Sequence, residues 1–187
     1  MKLQDEALKQ VVRQADCLYT AAQVEQALDR LSADITAELD TLQPIVICVM
    51  NGGLIPVGRL LPRLNFQLEV DYVHATRYRN RTTGSTLDWK AKPHRDIRDR
   101  VLLVVDDILD EGLTLQAIVQ YFQQQGAKRV YTAVLVDKLH RRKTGLRDAD
   151  FVGLTVEDRY VFGYGMDYKG FLRNANGIFA VSEQEGV

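Results

Sequence analysis

The sequence predicts an α/β fold, a mainly parallel sheet flanked by helices. Three observations carry this. Residues 45–49 (Ile-Val-Ile-Cys-Val) and 101–105 (Val-Leu-Leu-Val-Val) are uninterrupted apolar, β-branched runs, the pattern of strands buried on both faces. Each is followed by apolar residues at helical spacing, around Val57, Leu60 and Leu61 in one case and at Leu115, Ile118, Val119 and Phe122 in the other. A third run over residues 130–136 continues the alternation, which implies βαβ crossovers.

The bulk numbers narrow the class. A chain of 187 residues is most economically one domain over 1–187 with a substantial core. With 46% hydrophobic and 26% charged residues it is not a disordered chain. A net charge of −1 gives no global basic field to recruit nucleic acid or an anionic membrane. The apolar runs are far too short to span a bilayer and residues 1–10 lack the apolar stretch of a secretory signal, so a cytoplasmic location is expected. Cys17 and Cys48 form no CxxC pair and are read as buried free thiols; His74, His94 and His140 have no metal-ligand spacing.

In chain order, Val24, Ala27, Leu28, Leu31, Ile35, Leu39 and Leu42 place a helix over residues 21–42, with Thr20 as N-cap and Gln43-Pro44 as its stop. The strand over 45–49 runs into Met50-Asn51-Gly52-Gly53, where adjacent glycines let backbone amides approach a ligand. Residues 68–78 alternate as a strand with one wetter face. Residues 79–99 are polar, and a connection of that length is a lid or a disordered segment, with a plain solvated hairpin as the competing reading. Gly126 closes the helix that begins near Leu115, and the strand over 130–136 ends at Asp137-Lys138. The tail holds short strand-like runs at 151–156, 160–162 and 178–182.

Unusual residues collect at the C-terminal ends of these strands, where open α/β sheets bind ligands. After the strand over 101–105 come Asp106, Asp107, Asp110, Gly112 and Thr114. Strand, acidic turn, glycine and helix start together make a seat for a phosphorylated sugar. An acid favouring the helix dipole accounts for one carboxylate there, not for three.

Residues 104–114 (Val-Val-Asp-Asp-Ile-Leu-Asp-Glu-Gly-Leu-Thr) resemble the phosphoribosyl diphosphate signature of the type I phosphoribosyltransferases. The segments Asp150-Phe151-Val152-Gly153, Gly163-Tyr164-Gly165-Met166-Asp167-Tyr168 and Phe171-Leu172-Arg173 narrow the resemblance to the hypoxanthine-guanine phosphoribosyltransferases of purine salvage. The likeness covers about residues 44–183 in motif order and spacing. It implies the type I fold, with a small hood made mainly by residues 151–187 and a mobile loop at about 77–92. It also implies phosphoribosyl transfer from 5-phosphoribosyl 1-diphosphate to a 6-oxopurine with Mg2+, in a homodimer or homotetramer.

The resemblance also assigns residues, and each assignment has a chemical reason. Asp106 and Asp107 match acceptors for the ribose 2′ and 3′ hydroxyls, since ionised carboxylates only accept. Asp110 matches the general base at purine N7, and repulsion by Asp106 and Asp107 is expected to raise its pKa. Asp110, Glu111, Gly112, Leu113 and Thr114 match the loop that grips the 5′-phosphate; Glu111 departs from the usual Ser or Thr and is expected to turn away. Lys138 matches the donor to the purine 6-oxo group, against the common alternative of a snorkelling surface lysine.

Tyr160 matches the aromatic that stacks on the base, with a core tyrosine as the competing reading, and Val161 the backbone contact to its edge. Asp167 matches a contributor to the purine site and, with Asp106, to magnesium binding. Asn51, Gly52 and Arg173 match the diphosphate grip, with Asn51 where many relatives carry lysine. The family's cis peptide falls between Met50 and Asn51, and Arg77 and Tyr78 stand where its mobile loop begins.

Other readings keep or change the class. A xanthine or pyrimidine phosphoribosyltransferase keeps the fold; Lys138 and the tail disfavour pyrimidines. A non-catalytic nucleotide-sensing regulator is disfavoured by the presence of Asp110 and the absence of a basic excess. A magnesium phosphohydrolase would need a nucleophilic aspartate in a different loop pattern.

Overall fold

The computed structural model describes residues 2–77 and 87–182, and the side chains of 6–76 and 88–182. Within them a six-stranded sheet runs in the order β4-β3-β2-β5-β6-β7, and a three-stranded sheet in the order β1-β9-β8. In the large sheet β2 (Ile45–Val49), β3 (Glu69–Arg77), β5 (Val101–Leu109), β6 (Arg129–Leu139) and β7 (Phe151–Glu157) are parallel. Only β4 (Leu87–Ala91) runs the other way, against β3.

Every residue of β2 is buried, as its unbroken apolar run requires of a central strand. Two apolar cores result, one on each face. On one face α2 (Ala21–Leu39) and α3 (Leu54–Leu60) cover Val46, Cys48, Leu103 and Val105. On the other, Ile118 and Phe122 of α4 (Leu113–Gln124) cover Ile45, Ile47, Leu102 and Val104. Each fully buried Leu or Ile contributes about 1.5–3 kcal/mol before entropic costs.

Helix α2 starts at a capping box. Gln23 donates its backbone N–H to the Thr20 hydroxyl at 3.4 Å, and the Gln23 side chain accepts from the Thr20 backbone N–H at 2.9 Å. It ends at Leu39, earlier than the sequence pattern suggests, so Leu42 is exposed and takes no part in the core. Helix α1 (Lys2–Gln14) precedes it.

Two further features differ from the sequence reading, and a third bears out one of its alternatives. Strand β5 continues through both aspartates to Leu109, because its end stays paired with β6, Leu109 opposite Asp137. Part of the polar stretch 79–99 is a strand, as its hairpin alternative has it: β4 pairs antiparallel with β3, and residues 78–86 lie outside the described residues. Phe151–Glu157 joins the large sheet as β7, so the hood is not simply the tail from 151.

Its three strands are β8 (Val161–Phe162), β9 (Gly177–Ala180) and, from the other end of the chain, β1 (Asp16–Thr20). Tyr164 fastens the hood to the body by donating from its hydroxyl to Glu25 of α2 at 2.8 Å. Of the two cysteines, Cys48 is buried but Cys17 is exposed on β1, contrary to the expectation of two buried thiols. Burial, reinforced by the Asp106 and Asp107 charges, pushes the Cys48 thiol up to about 12, which leaves it protonated and unreactive.

Candidate active site

A cleft of about 870 Å³ opens between the C-terminal ends of β2, β5 and β6 and the hood. Open α/β sheets place their ligands at this edge. Each predicted site residue from Asn51 to Arg173 whose side chain is described borders it. The Arg77 side chain and all of Tyr78 lie outside the described residues.

The floor is acidic. Asp106 and Asp107 end β5, and each holds the backbone N–H that follows it: Asp106 accepts from Asp107 N at 2.9 Å, and Asp107 from Ile108 N at 2.8 Å. Burial pushes both carboxyls up, and at Asp106 the charge of Asp107 adds to the shift. An approaching cation, or hydroxyls donating to these oxygens, would relieve that cost.

The loop after β2 lies against this floor. The Met50–Asn51 peptide is cis, at the place the resemblance indicates. A Cβ on Gly52 would stand 2.2 Å from an Asp107 carboxylate oxygen, so glycine is needed there to admit a protein side chain as well as any ligand. Exposed Asn51 borders the cleft beside it.

The phosphate-type seat is formed by the turn 110–112 and the first residues of α4. Gly112 is the N-cap in the left-handed region (φ 76°), and no side chain caps the helix there. The helix therefore presents its first amides, including those of Leu113 and Thr114, on the cleft side. The loop after β6 braces this turn: Gly145 N donates to the Glu111 carbonyl at 3.0 Å and Leu146 N to that of Gly112 at 3.1 Å. Glu111 itself is exposed and borders the cleft.

Asp110 does not follow the sequence expectation of a raised pKa. Partial burial does push it up, but Lys138 and His140 outweigh that and hold it below the usual carboxylate value. Lys138 donates from Nζ to Oδ2 at 2.8 Å, and the His140 ring nitrogen Nε2 lies 2.6 Å from Oδ1. Lys138 is 8% exposed, so it is not a snorkelling surface lysine. His140 escapes a reading based on metal-ligand spacing. Its signal is position: it follows Lys138 by two residues, the spacing that puts side chains on one face of an extended segment.

The hood supplies the roof. Tyr160 is 52% exposed and packs edge-on to Tyr168 with ring centroids 5.5 Å apart, while Phe162 and Tyr164 are the aromatics that enter the core. This removes the core-tyrosine reading and leaves the Tyr160 ring bordering the cleft, next to buried Val161. Arg173 ties roof to floor. It bonds Asp167 at 2.5 Å and the Gly165 carbonyl at 2.5 Å, and passes 3.8 Å from Asp107.

A family model described as a phosphoribosyl transferase domain matches residues 14–169. The chain belongs to the phosphoribosyltransferase family. Among the relatives of this phosphoribosyltransferase is the hypoxanthine-guanine phosphoribosyltransferase of Bacillus subtilis, 33% identical over 84% of this chain and 87% of its own. Another is the hypoxanthine-guanine-xanthine phosphoribosyltransferase of Tritrichomonas foetus, 31% identical over 84% of this chain and 86% of its own.

The solved structure of a hypoxanthine-guanine phosphoribosyltransferase from Bacillus anthracis is 28% identical. It superposes with a TM-score of 0.83 over 89% of this chain and 98% of its own. The type I phosphoribosyltransferase fold read from the sequence is therefore the fold of this chain, a mostly parallel sheet with flanking helices.

Proposed function

We propose that this phosphoribosyltransferase transfers the 5-phosphoribosyl group to a 6-oxopurine, hypoxanthine or guanine, giving IMP or GMP and diphosphate. The observation that carries the reading is the Lys138–Asp110 pair, a donor and an acceptor 2.8 Å apart on one wall of the cleft. A 6-oxopurine presents O6 and N7 side by side on one edge. Lys138 donates to O6, and Asp110 accepts the N7 proton as N9 bonds to ribose C1 and the C1–diphosphate bond breaks. Lysine offers nothing to the 6-amino group of adenine, which sets the preference.

The remaining residues serve the sugar and its leaving group. Asp106 and Asp107 accept from the ribose hydroxyls, and their charge faces the cationic sugar of the transition state. The amides from Gly112 to Thr114 and the Thr114 hydroxyl hold the 5′-phosphate. Tyr160 stacks on the base and Val161 meets its edge through the backbone. Asn51, Gly52 and Arg173 hold diphosphate, Arg173 exchanging Asp167 for phosphate oxygens.

Magnesium fits this donor set. Among the described residues no cluster of three ligating side chains forms a cage, but Mg2+ is commonly held by one or two carboxylates, waters and substrate phosphate. Asp167 and Asp106 would hold it, and it would neutralise charge on the diphosphate.

Residues 1–187 act as one domain in this reading, in a homodimer or homotetramer, with Arg77, Tyr78 and the rest of 77–92 closing over the cleft. Among the described residues no helix is long and apolar enough to cross a membrane; the cytoplasm is the proposed location. The test is to mix the protein with Mg2+, 5-phosphoribosyl 1-diphosphate and each of hypoxanthine, guanine, xanthine, adenine and uracil. Nucleotide is expected from hypoxanthine or guanine. Product from xanthine alone would move the substrate, and product from none would leave a nucleotide-sensing protein.

A further inference from the structure

We infer that His140 is a positioning residue for Asp110, holding its carboxylate in orientation by donation from Nε2. The inference rests on the reading of Asp110 as the group that takes the N7 proton. His140 does not border the cleft; it stands behind Asp110 with its side chain 4% exposed. It therefore touches no substrate and acts only through Asp110.

The hydrogen bonds select the donor. Nδ1 accepts the backbone N–H of Arg142 at 3.0 Å, so the donor nitrogen of the ring is Nε2. Nε2 then donates to Asp110 Oδ1 at 2.6 Å, while Lys138 donates to the other oxygen at 2.8 Å. Two donors on opposite oxygens fix the rotation of the carboxylate and favour its ionised form.

The two donors differ in one respect. Lys138 borders the cleft, so the 6-oxo group of a bound purine competes for its ammonium. His140, out of reach of the substrate, keeps its bond to Asp110 when the base arrives. After transfer the N7 proton resides on Asp110, and the Nε2 proton has not moved.

The other charged neighbours do not duplicate this role. Asp137, beside Lys138 in sequence, is engaged by Lys143, and the Arg142 guanidinium pairs with Asp158 at 2.6 Å. Glu111, Asp106, Asp107, Asp167 and Arg173 share the cleft with Asp110, while Lys138 and His140 donate to its carboxylate.

The test compares wild type with His140→Phe, which keeps a ring and loses the donor, and His140→Gln. Glutamine can donate to Asp110 and accept from Arg142 N. In the substrate-free protein, carboxyl NMR should show the Asp110 midpoint rising by about one pH unit in His140→Phe and returning in His140→Gln. With hypoxanthine, kcat of His140→Phe should fall about tenfold, with KM for phosphoribosyl diphosphate unchanged and the acid limb moved to higher pH.

If Phe fails to fold, His140→Met serves as the donor-free variant. An Asp110 midpoint that stays put in the donor-free variant, or equal losses in Gln and Phe, would overturn the inference. Absence of nucleotide formation by wild type would instead overturn the functional reading, and the NMR titration still decides the role of His140.

Discussion

Lys138 and Asp110 are joined at 2.8 Å across the wall of the cleft, although 28 residues separate them in sequence. Parallel pairing of β5 with β6 makes the meeting possible, since it brings Leu109 opposite Asp137 and so sets the next residues side by side. Each member depends on the other. Lys138→Ala removes the proposed donor to O6 and one of the two donors to the Asp110 carboxylate. Turnover with hypoxanthine and guanine should fall at least about tenfold, on the scale of a charged hydrogen bond. The acid limb of the pH profile should also move up, because loss of the cation lets the Asp110 pKa rise. Unchanged kinetics would remove Lys138 from the purine site.

A second carboxylate works far from the cleft. Asp71 is 8% exposed and accepts three backbone N–H groups, from Tyr72 at 2.8 Å, His94 at 2.7 Å and Arg95 at 2.9 Å. Burial pushes its pKa up, but the three amides prevail and hold it low. Asp71→Asn should cost about 1–3 kcal/mol near neutral pH, since an amide cannot match three donors with two ionised oxygens. A carboxyl with a depressed folded pKa gives stability that is full above its unfolded value of about 3.9 and fades as pH falls through the folded value. Urea unfolding should therefore show a constant gap between the proteins from about pH 5 to 7 that narrows below about pH 4. A gap that widened in acid would contradict this.

The central strands were legible because they are buried on both faces, and such strands leave unbroken apolar runs at residues 45–49 and 101–105. Strand β1 left no such trace: Asp16–Thr20 is short and largely exposed, and it is a strand because β9, far away in sequence, pairs with it. The extension of β5 through Asp106 and Asp107 was hidden for a related reason, since charge in a sequence reads as a turn until pairing with β6 is known. In the site, residue types carried the chemistry: carboxylates after a buried strand, a glycine, and a lysine at a strand end. The environment of Asp110 was not legible, because the sequence shows its acidic neighbours and not the basic pair that β6 and the segment after it bring up.

Gly52 and Asp107 occupy almost one space. A Cβ on Gly52 would lie 2.2 Å from Asp107 Oδ2, and one on Gly165 would lie 2.2 Å from the Gly52 carbonyl. Gly52→Ala should displace the Asp107 carboxylate, costing about 1–3 kcal/mol of stability and most of the activity. Asp107→Asn makes the opposite trade. Burial raises the Asp107 pKa, so ionisation costs folded-state stability as pH climbs above the unfolded value. The asparagine should melt a few degrees higher at neutral pH, with an advantage that shrinks toward about pH 4, while transfer is expected to fall with loss of the proposed ribose acceptor. A lower melting point at pH 7 would show that the charge is better compensated than its burial implies.

Glu111 stands one residue before the left-handed Gly112, at the rim of a seat built from helix amides. Its backbone is committed, because its carbonyl accepts from Gly145 N at 3.0 Å, but its side chain is exposed. An exposed carboxylate near a phosphate seat acts on the substrate mainly through screened repulsion, which is small and depends on salt. Glu111→Thr should accordingly leave KM for 5-phosphoribosyl 1-diphosphate unchanged or lower it a few fold, and any gain should fade as ionic strength rises. Threonine also restores a hydroxyl that can donate to phosphate, an effect that salt does not erase. The two contributions separate in a KM series over ionic strength, with Glu111→Ala as the variant that removes the charge and adds no donor. A large increase in KM for the threonine variant would mean that Glu111 takes part in the phosphate grip itself.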